Sequence, residues 1–145
     1  MRSKKLRRLV VDANPILSAL IHGKAHRILS GSDWEFFTTE HTIREVIGHI
    51  PELVKKMGQK GVSIKEADLY FALVVSPFVI RTQDFYKDLL LTARKRIAKR
   101  DPEDVDLLAL GLKLQAPVWT NDKDFATAGV KCYTTAQLLK KLEKD

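Results

Sequence analysis

The chain has 145 residues, 45% hydrophobic and 30% charged, which suits one soluble globular domain with its own core. Its formal net charge of +7 and pI of about 9.6 favour a polyanionic partner such as nucleic acid, because Lys and Arg neutralise phosphates and release counterions; a plain solubility charge is the alternative. The single cysteine, Cys132, excludes an internal disulfide and a cysteine-rich zinc site, and no apolar run is long enough to span a bilayer.

The basic start "MRSKKLRR" resembles the head of a signal peptide, but Asp12, Asn14 and Pro15 break what would be its apolar core, so a cytoplasmic location is expected. "RLVV" (Arg8 to Val11) reads as a buried first strand. Pro15 suits the first turn of a helix running to about Ile21, with Asn14 as its N-cap. "GKAHRILSG" reads as a second short helix, and "WEFFT" (Trp34 to Thr38) as a second strand. Thr39 caps a helix through "EHTIREVIGHI", whose Ile43, Val46, Ile47 and Ile50 form one apolar stripe that Pro51 interrupts. Two further helices are expected from Glu52 to Val75, separated near "KKMGQKGVS".

"FVIRT" (Phe78 to Thr82) is a third short strand, and Asp84 to Lys99 a long helix with the basic end "ARKRIAKR". In "DPEDVDLLALGLKLQ", Asp101 is the N-cap and Pro102 the first helical residue of a helix apolar almost all round. "PVWT" (Pro117 to Thr120) is a fourth strand, "NDKDFATAG" a loop and short helix, and "VKCY" a final edge strand. "TTAQLLKKLEK" closes the chain as a helix capped by Thr134 or Thr135. Strands alternating with helices argue for an α/β domain with a parallel sheet, spanning the whole chain from residue 1 to 145.

In open α/β sheets, sites form beyond the carboxyl ends of the strands. Asp12 ends the first strand, and Asp122 and Asp124 lie just past the fourth. The start of the helix bearing Asp104 is expected at the opposite edge, and Glu45 lies inside a helix, so spacing alone groups only Asp12 with Asp122 or Asp124. Each acid also has a purely structural reading. Asp12 would turn into or cap the first helix, Asp104 would complete a capping box with Asp101, Glu45 would pair with Arg44 or His49, and Asp122 and Asp124 would make an Asx-turn.

Three stretches together carry a family resemblance: "VVDANPILSAL", "TIREVIGHI" and "RDPEDVDLLALGLKLQAPVWTNDKDF". Their order, strand contexts and spacing resemble a PIN domain, the metal-dependent ribonuclease fold of VapC-type toxins and stand-alone nucleases, over about Leu9 to Thr135. The resemblance implies a three-layer α/β/α sandwich around a mainly parallel sheet of four to five strands. It implies four acids around one metal site: Asp12, Glu45, Asp104 and Asp122, with Asp124 able to replace or support Asp122 and Asp106 a lesser rival to Asp104. Asn14 and Thr120 match small polar positions near the first and last acids, where they would orient carboxylates. Crowded carboxylates suit hard cations, so Mg2+ or Mn2+ is the expected cofactor, and the resemblance implies RNA hydrolysis leaving 5′-phosphate and 3′-hydroxyl ends.

Arg94, Lys95, Arg96, Lys99 and Arg100 are candidates to grip RNA, with Lys4, Lys5, Arg7 and Arg8 as a second group; the alternative is a solvated helix face and a frayed terminus. The resemblance further implies a homodimer and, for the toxin branch, an antitoxin protein. His22 and His26 stand four apart without a third nearby ligand, which is poor for structural zinc. A haloacid-dehalogenase-like phosphatase would want an acid two residues after Asp12, where this chain has Asn14. A non-catalytic RNA-binding module that keeps an acidic pocket is the remaining competitor.

Overall fold

Short runs of β-branched and aromatic residues build the centre of the molecule, because such side chains pack well on a pleated surface. The computed structural model describes residues 7–21, 23–58, 64–97 and 104–144, without the side chains of 57–58, 64–67, 69–70 and 124. Its strands are β1 (Arg8–Val11), β2 (Glu35–Thr39), β3 (Phe78–Arg81), β4 (Val118–Trp119) and β5 (Cys132–Tyr133). They form one sheet in the order β3-β2-β1-β4-β5, every pairing parallel. Val10 stands between Phe37 of β2 and Val118 of β4. The chain builds outward from β1 to one edge, then returns to β1's other side, so a topological switch point lies between β1 and β4.

The period-two alternation of β1 splits the core into two layers. Leu9 and Val11 point to one face with Phe36 and Trp119, where α1 (Ala13–Leu20), α2 (Lys24–Gly31), α3 (Glu40–Gly58), α4 (Ile64–Val75) and α8 (Thr135–Lys144) contribute side chains. Val10 points to the other with Phe37 and Val118, against α5 (Gln83–Tyr86), α6 (Leu90–Ile97) and α7 (Val105–Leu114). The result is the expected three-layer α/β/α sandwich, with five strands. Helix α7 supplies Leu107, Leu108 and Leu110 fully buried, each worth about 1.5–3 kcal/mol of burial. Among the described residues no helix is long and apolar enough to cross a membrane.

Several expected boundaries move, for identifiable reasons. Helix α1 begins at Ala13, capped by Asp12 rather than Asn14, which puts Pro15 still among the positions whose N–H has no intrahelical partner. Pro51 does not end its helix: α3 runs through it to Gly58. Pro51 and Ile47, whose carbonyl loses its partner, are both exposed, so water can take that carbonyl. The long helix expected over 84–99 is broken into α5, a 3-10 turn at Lys87–Leu89, and α6. The break falls where Tyr86 leaves helical geometry (φ −121°, ψ 12°) with its ring buried in the core. The expected cap at Asp101 and Pro102 lies outside the described residues. At α8, Thr134 and Gln137 cap each other's backbone N–H groups, which chooses Thr134 over Thr135.

Candidate active site

Asp12 sits on the last rung of the central strand: its N–H donates to the Trp119 carbonyl at 3.0 Å. Its carboxylate does two jobs at once. Oδ1 accepts from the Ala13 N–H at 2.7 Å, capping α1, and Oδ2 accepts from the Thr120 hydroxyl at 2.7 Å. The cap and the site are therefore not alternatives, and the positive end of the α1 dipole favours the charge there. Thr120 is 2% exposed, and its Oγ1 also accepts the Asp122 N–H at 3.0 Å. One hydroxyl thus ties the first acid to the last.

Glu45 comes from the second turn of α3, whose start is fixed by Thr39 Oγ1 accepting the Thr42 N–H at 2.9 Å. Its neighbour Arg44 pairs with Glu40. Asp104 stands at the start of α7, 8% exposed, and makes no side-chain capping bond. The expectation that this helix starts at the far edge is corrected. A helix crossing between parallel strands runs back antiparallel to them, so α7 begins at the carboxyl edge and ends where β4 begins. Asp106, the rival, belongs elsewhere: its Oδ2 accepts from the Tyr86 hydroxyl at 2.6 Å and from Gln83 Nε2 at 3.3 Å.

Asp12, Glu45, Asp104 and Asp122 line one pocket of about 300 Å³ with Ala13, Asn14 and Asn121. Asp124 falls in the 3-10 segment Lys123–Ala128, and its side chain is outside the described set. Asn14 Oδ1 accepts from Asn121 Nδ2 at 3.3 Å, a bond to an amide and not to a carboxylate. Asn121, which sequence reasoning passed over, also accepts the Thr135 N–H at 3.1 Å and so joins the mouth of the pocket to α8. Its only signal in sequence is its place between Thr120 and Asp122 in "TNDKDF". Cys132 is half-buried; burial, then the charge of Asp12, raise its thiol above the ordinary value and keep it neutral.

The polar groups on the pocket wall are oxygen and amide donors, with no thiolate or imidazole, the chemistry of a hard divalent cation such as Mg2+ or Mn2+. As they stand, no three His, Cys, Asp or Glu side chains among the described residues are grouped to hold a metal ion. The donor types therefore fit the ion, while metal binding would have to draw the carboxylates together.

The basic groups divide. Arg94, Lys95 and Arg96 are exposed near the end of α6, with Arg96 Nη1 donating to the Ala128 carbonyl at 3.3 Å. Lys99 and Arg100 lie outside the described residues, as do Lys4, Lys5 and His22. Arg7 and Arg8 stand at the amino end of β1, the edge opposite Asp12, which removes them from the candidates for gripping a substrate at this pocket.

A parallel sheet with an acidic pocket at its switch point defines a class of carboxylate-bearing α/β proteins. The PIN domain model matches residues 10–143, and the chain belongs to the PIN domain family, a family of nucleases. The fold is similar to that of PAE2754 from Pyrobaculum aerophilum, at a TM-score of 0.67 and 17% identity, covering 97% of this chain and 91% of that one. It is also similar to that of VapC20 from Mycobacterium tuberculosis, a sarcin-ricin-loop-cleaving toxin, at a TM-score of 0.56 and 20% identity, covering 84% of this chain and 95% of that one. No curated protein matches the chain significantly.

Proposed function

We propose that this chain is, over its whole length, a metal-dependent endoribonuclease in which Asp12, Glu45, Asp104 and Asp122 hold Mg2+ or Mn2+. The observation that carries the reading is that these four acids, from four separate segments, line the wall of one pocket at the switch point of the sheet. When bound, such an ion would offset charge on a phosphodiester and lower the pKa of water. The residues around it hold its ligands in place. Thr120 fixes one oxygen of Asp12 and the backbone of Asp122, and Asn121 ties the loop between them to Asn14 and α8. Arg94 and Arg96, with Lys99 and Arg100 beyond the described residues, would meet the RNA backbone.

The test uses a circular single-stranded RNA, which only an endonuclease opens. Purified protein should open it with Mn2+ and stop on addition of EDTA. Asp12→Asn should lower the rate by at least the roughly 10–100-fold that supporting groups of a metal site carry. Cleavage that persists in EDTA, or an undiminished Asp12→Asn variant, sinks the mechanism; RNA binding without cleavage favours the non-catalytic module instead.

A further inference from the structure

The groove between α1 and α3 does not end at the acidic pocket. Ala13 and Asn14 of α1 and Glu45 of α3 line that pocket. A second cleft, of about 160 Å³, is lined by Leu17, His49, Glu52, Leu53 and Lys56. Leu17 follows Ala13 by four residues and His49 follows Glu45 by four. Each therefore stands one turn, about 5.4 Å, further along the same face of its helix. Both helices leave the carboxyl ends of their strands and run back along the same layer, so the two clefts are successive stations of one groove. The site described above does not use the second.

Its size and chemistry limit what it can hold. Pockets for whole small ligands run to about 300–1,000 Å³, so a cleft of this size takes one part of something longer. The floor is apolar: Leu17 and Leu53 are half-buried and pack against the core. The rim is polar, with His49, Glu52 and Lys56 all exposed. Glu52 and Lys56 stand four apart on α3, yet among the described residues neither forms an ion pair. These groups match the parts of one nucleotide. A flat base would cover the leucines and stack on His49, its edge amino group would donate to Glu52, and Lys56 would meet a phosphate. An ionised carboxylate accepts from an amino group and repels a carbonyl oxygen. Cytosine, with its N4 amine, suits Glu52, and uracil, with O4 in that place, does not. We infer that this cleft is a base subsite, which receives the nucleotide next to the scissile phosphate of single-stranded RNA and prefers cytosine to uracil there. Glu52 sets the preference, while His49 and the two leucines hold the ring. The inference rests on the nuclease reading of the acidic pocket.

A randomised pool of single-stranded RNA, cut with Mn2+ and sequenced across the cuts, tests it. The parent should favour cytosine over uracil by about five-fold at one fixed position beside the cut, the low end of what one correct base contact carries. Glu52→Gln supplies an N–H that uracil O4 can accept, so the ratio should fall to near one at that position. His49→Ala should weaken binding of a cytosine-rich RNA in EDTA by about five-fold, the low end of base–aromatic stacking. Both side chains are exposed, so both variants should keep the parent's circular dichroism spectrum and melting temperature. Parent cleavage without a cytosine bias beside the cut would overturn this inference alone, as would a Glu52→Gln protein with the parent's bias or a His49→Ala protein with the parent's affinity. A parent chain that cuts no RNA with Mn2+ would overturn the nuclease reading and this inference with it.

Discussion

Replacing Thr120 by Val keeps the shape of a buried side chain and deletes one hydroxyl that makes two bonds. The bond to Asp12 Oδ2, at 2.7 Å, has an ionised acceptor, and such bonds contribute about 1.5–3 kcal/mol net. The second bond, from the Asp122 N–H at 3.0 Å, adds little, because Asp122 is exposed and water can replace the hydroxyl. The expected loss is therefore roughly 2–3 kcal/mol, since Thr120 itself is buried and no water reaches the new methyl. For a chain of this size that corresponds to a fall in melting temperature of about 4–12 °C. Metal-free thermal denaturation followed by circular dichroism measures it. Thr120→Ser keeps the hydroxyl and should recover most of the loss. A Thr120→Val protein that melts with the parent would refute the claim that this hydroxyl's bond to Asp12 stabilises the fold. An equally damaged Thr120→Ser protein would show that the methyl's packing, not the bond, was lost.

Two further outcomes follow from charged groups. Lys113 donates to Asp88 at 2.9 Å and holds that carboxyl below its usual value. A depressed folded value contributes stability above the unfolded value, near pH 4, and loses it as pH falls through the folded one. Asp88→Asn should flatten that stretch of the acid denaturation profile, and the difference from the parent should vanish in 1 M salt because the pair is exposed; identical acid profiles would refute it. Neutralising Arg94 and Lys95 together should reduce the salt slope of single-stranded RNA affinity by about 1.4, from a factor of roughly 0.7 per phosphate contact. An unchanged slope would assign those two cations to solvent.

The strands were legible because alternation and β-branching act locally: β1 lies over the expected residues, and the others within one or two. The pocket was legible only in part. Asp12 and Asp122 follow from strand ends, whereas Asp104 at a helix start and Glu45 inside a helix join them only through the family motifs. Pro51 misled in a different way. Its cost is a local carbonyl, and whether that carbonyl meets water depends on which face of α3 is exposed, a tertiary fact. The break after Tyr86 was likewise illegible, because the partner that holds the ring in place, Asp106, lies on another helix. Asn121 offers no periodicity or spacing of its own; its role appears only when α1 and α8 are brought beside the same loop.

The bond between Thr120 and Asp12 spans 108 residues of sequence. Asp12 leaves the ribosome well before its partner hydroxyl does. A nascent chain that has folded β1, β2 and β3 therefore still lacks one wall of its pocket, and with it Asp122. The pocket is complete only once β4 and the loop after it have been made. By the order of its own strands, a domain proposed to cut RNA stays unfinished at its pocket until β4 has been made.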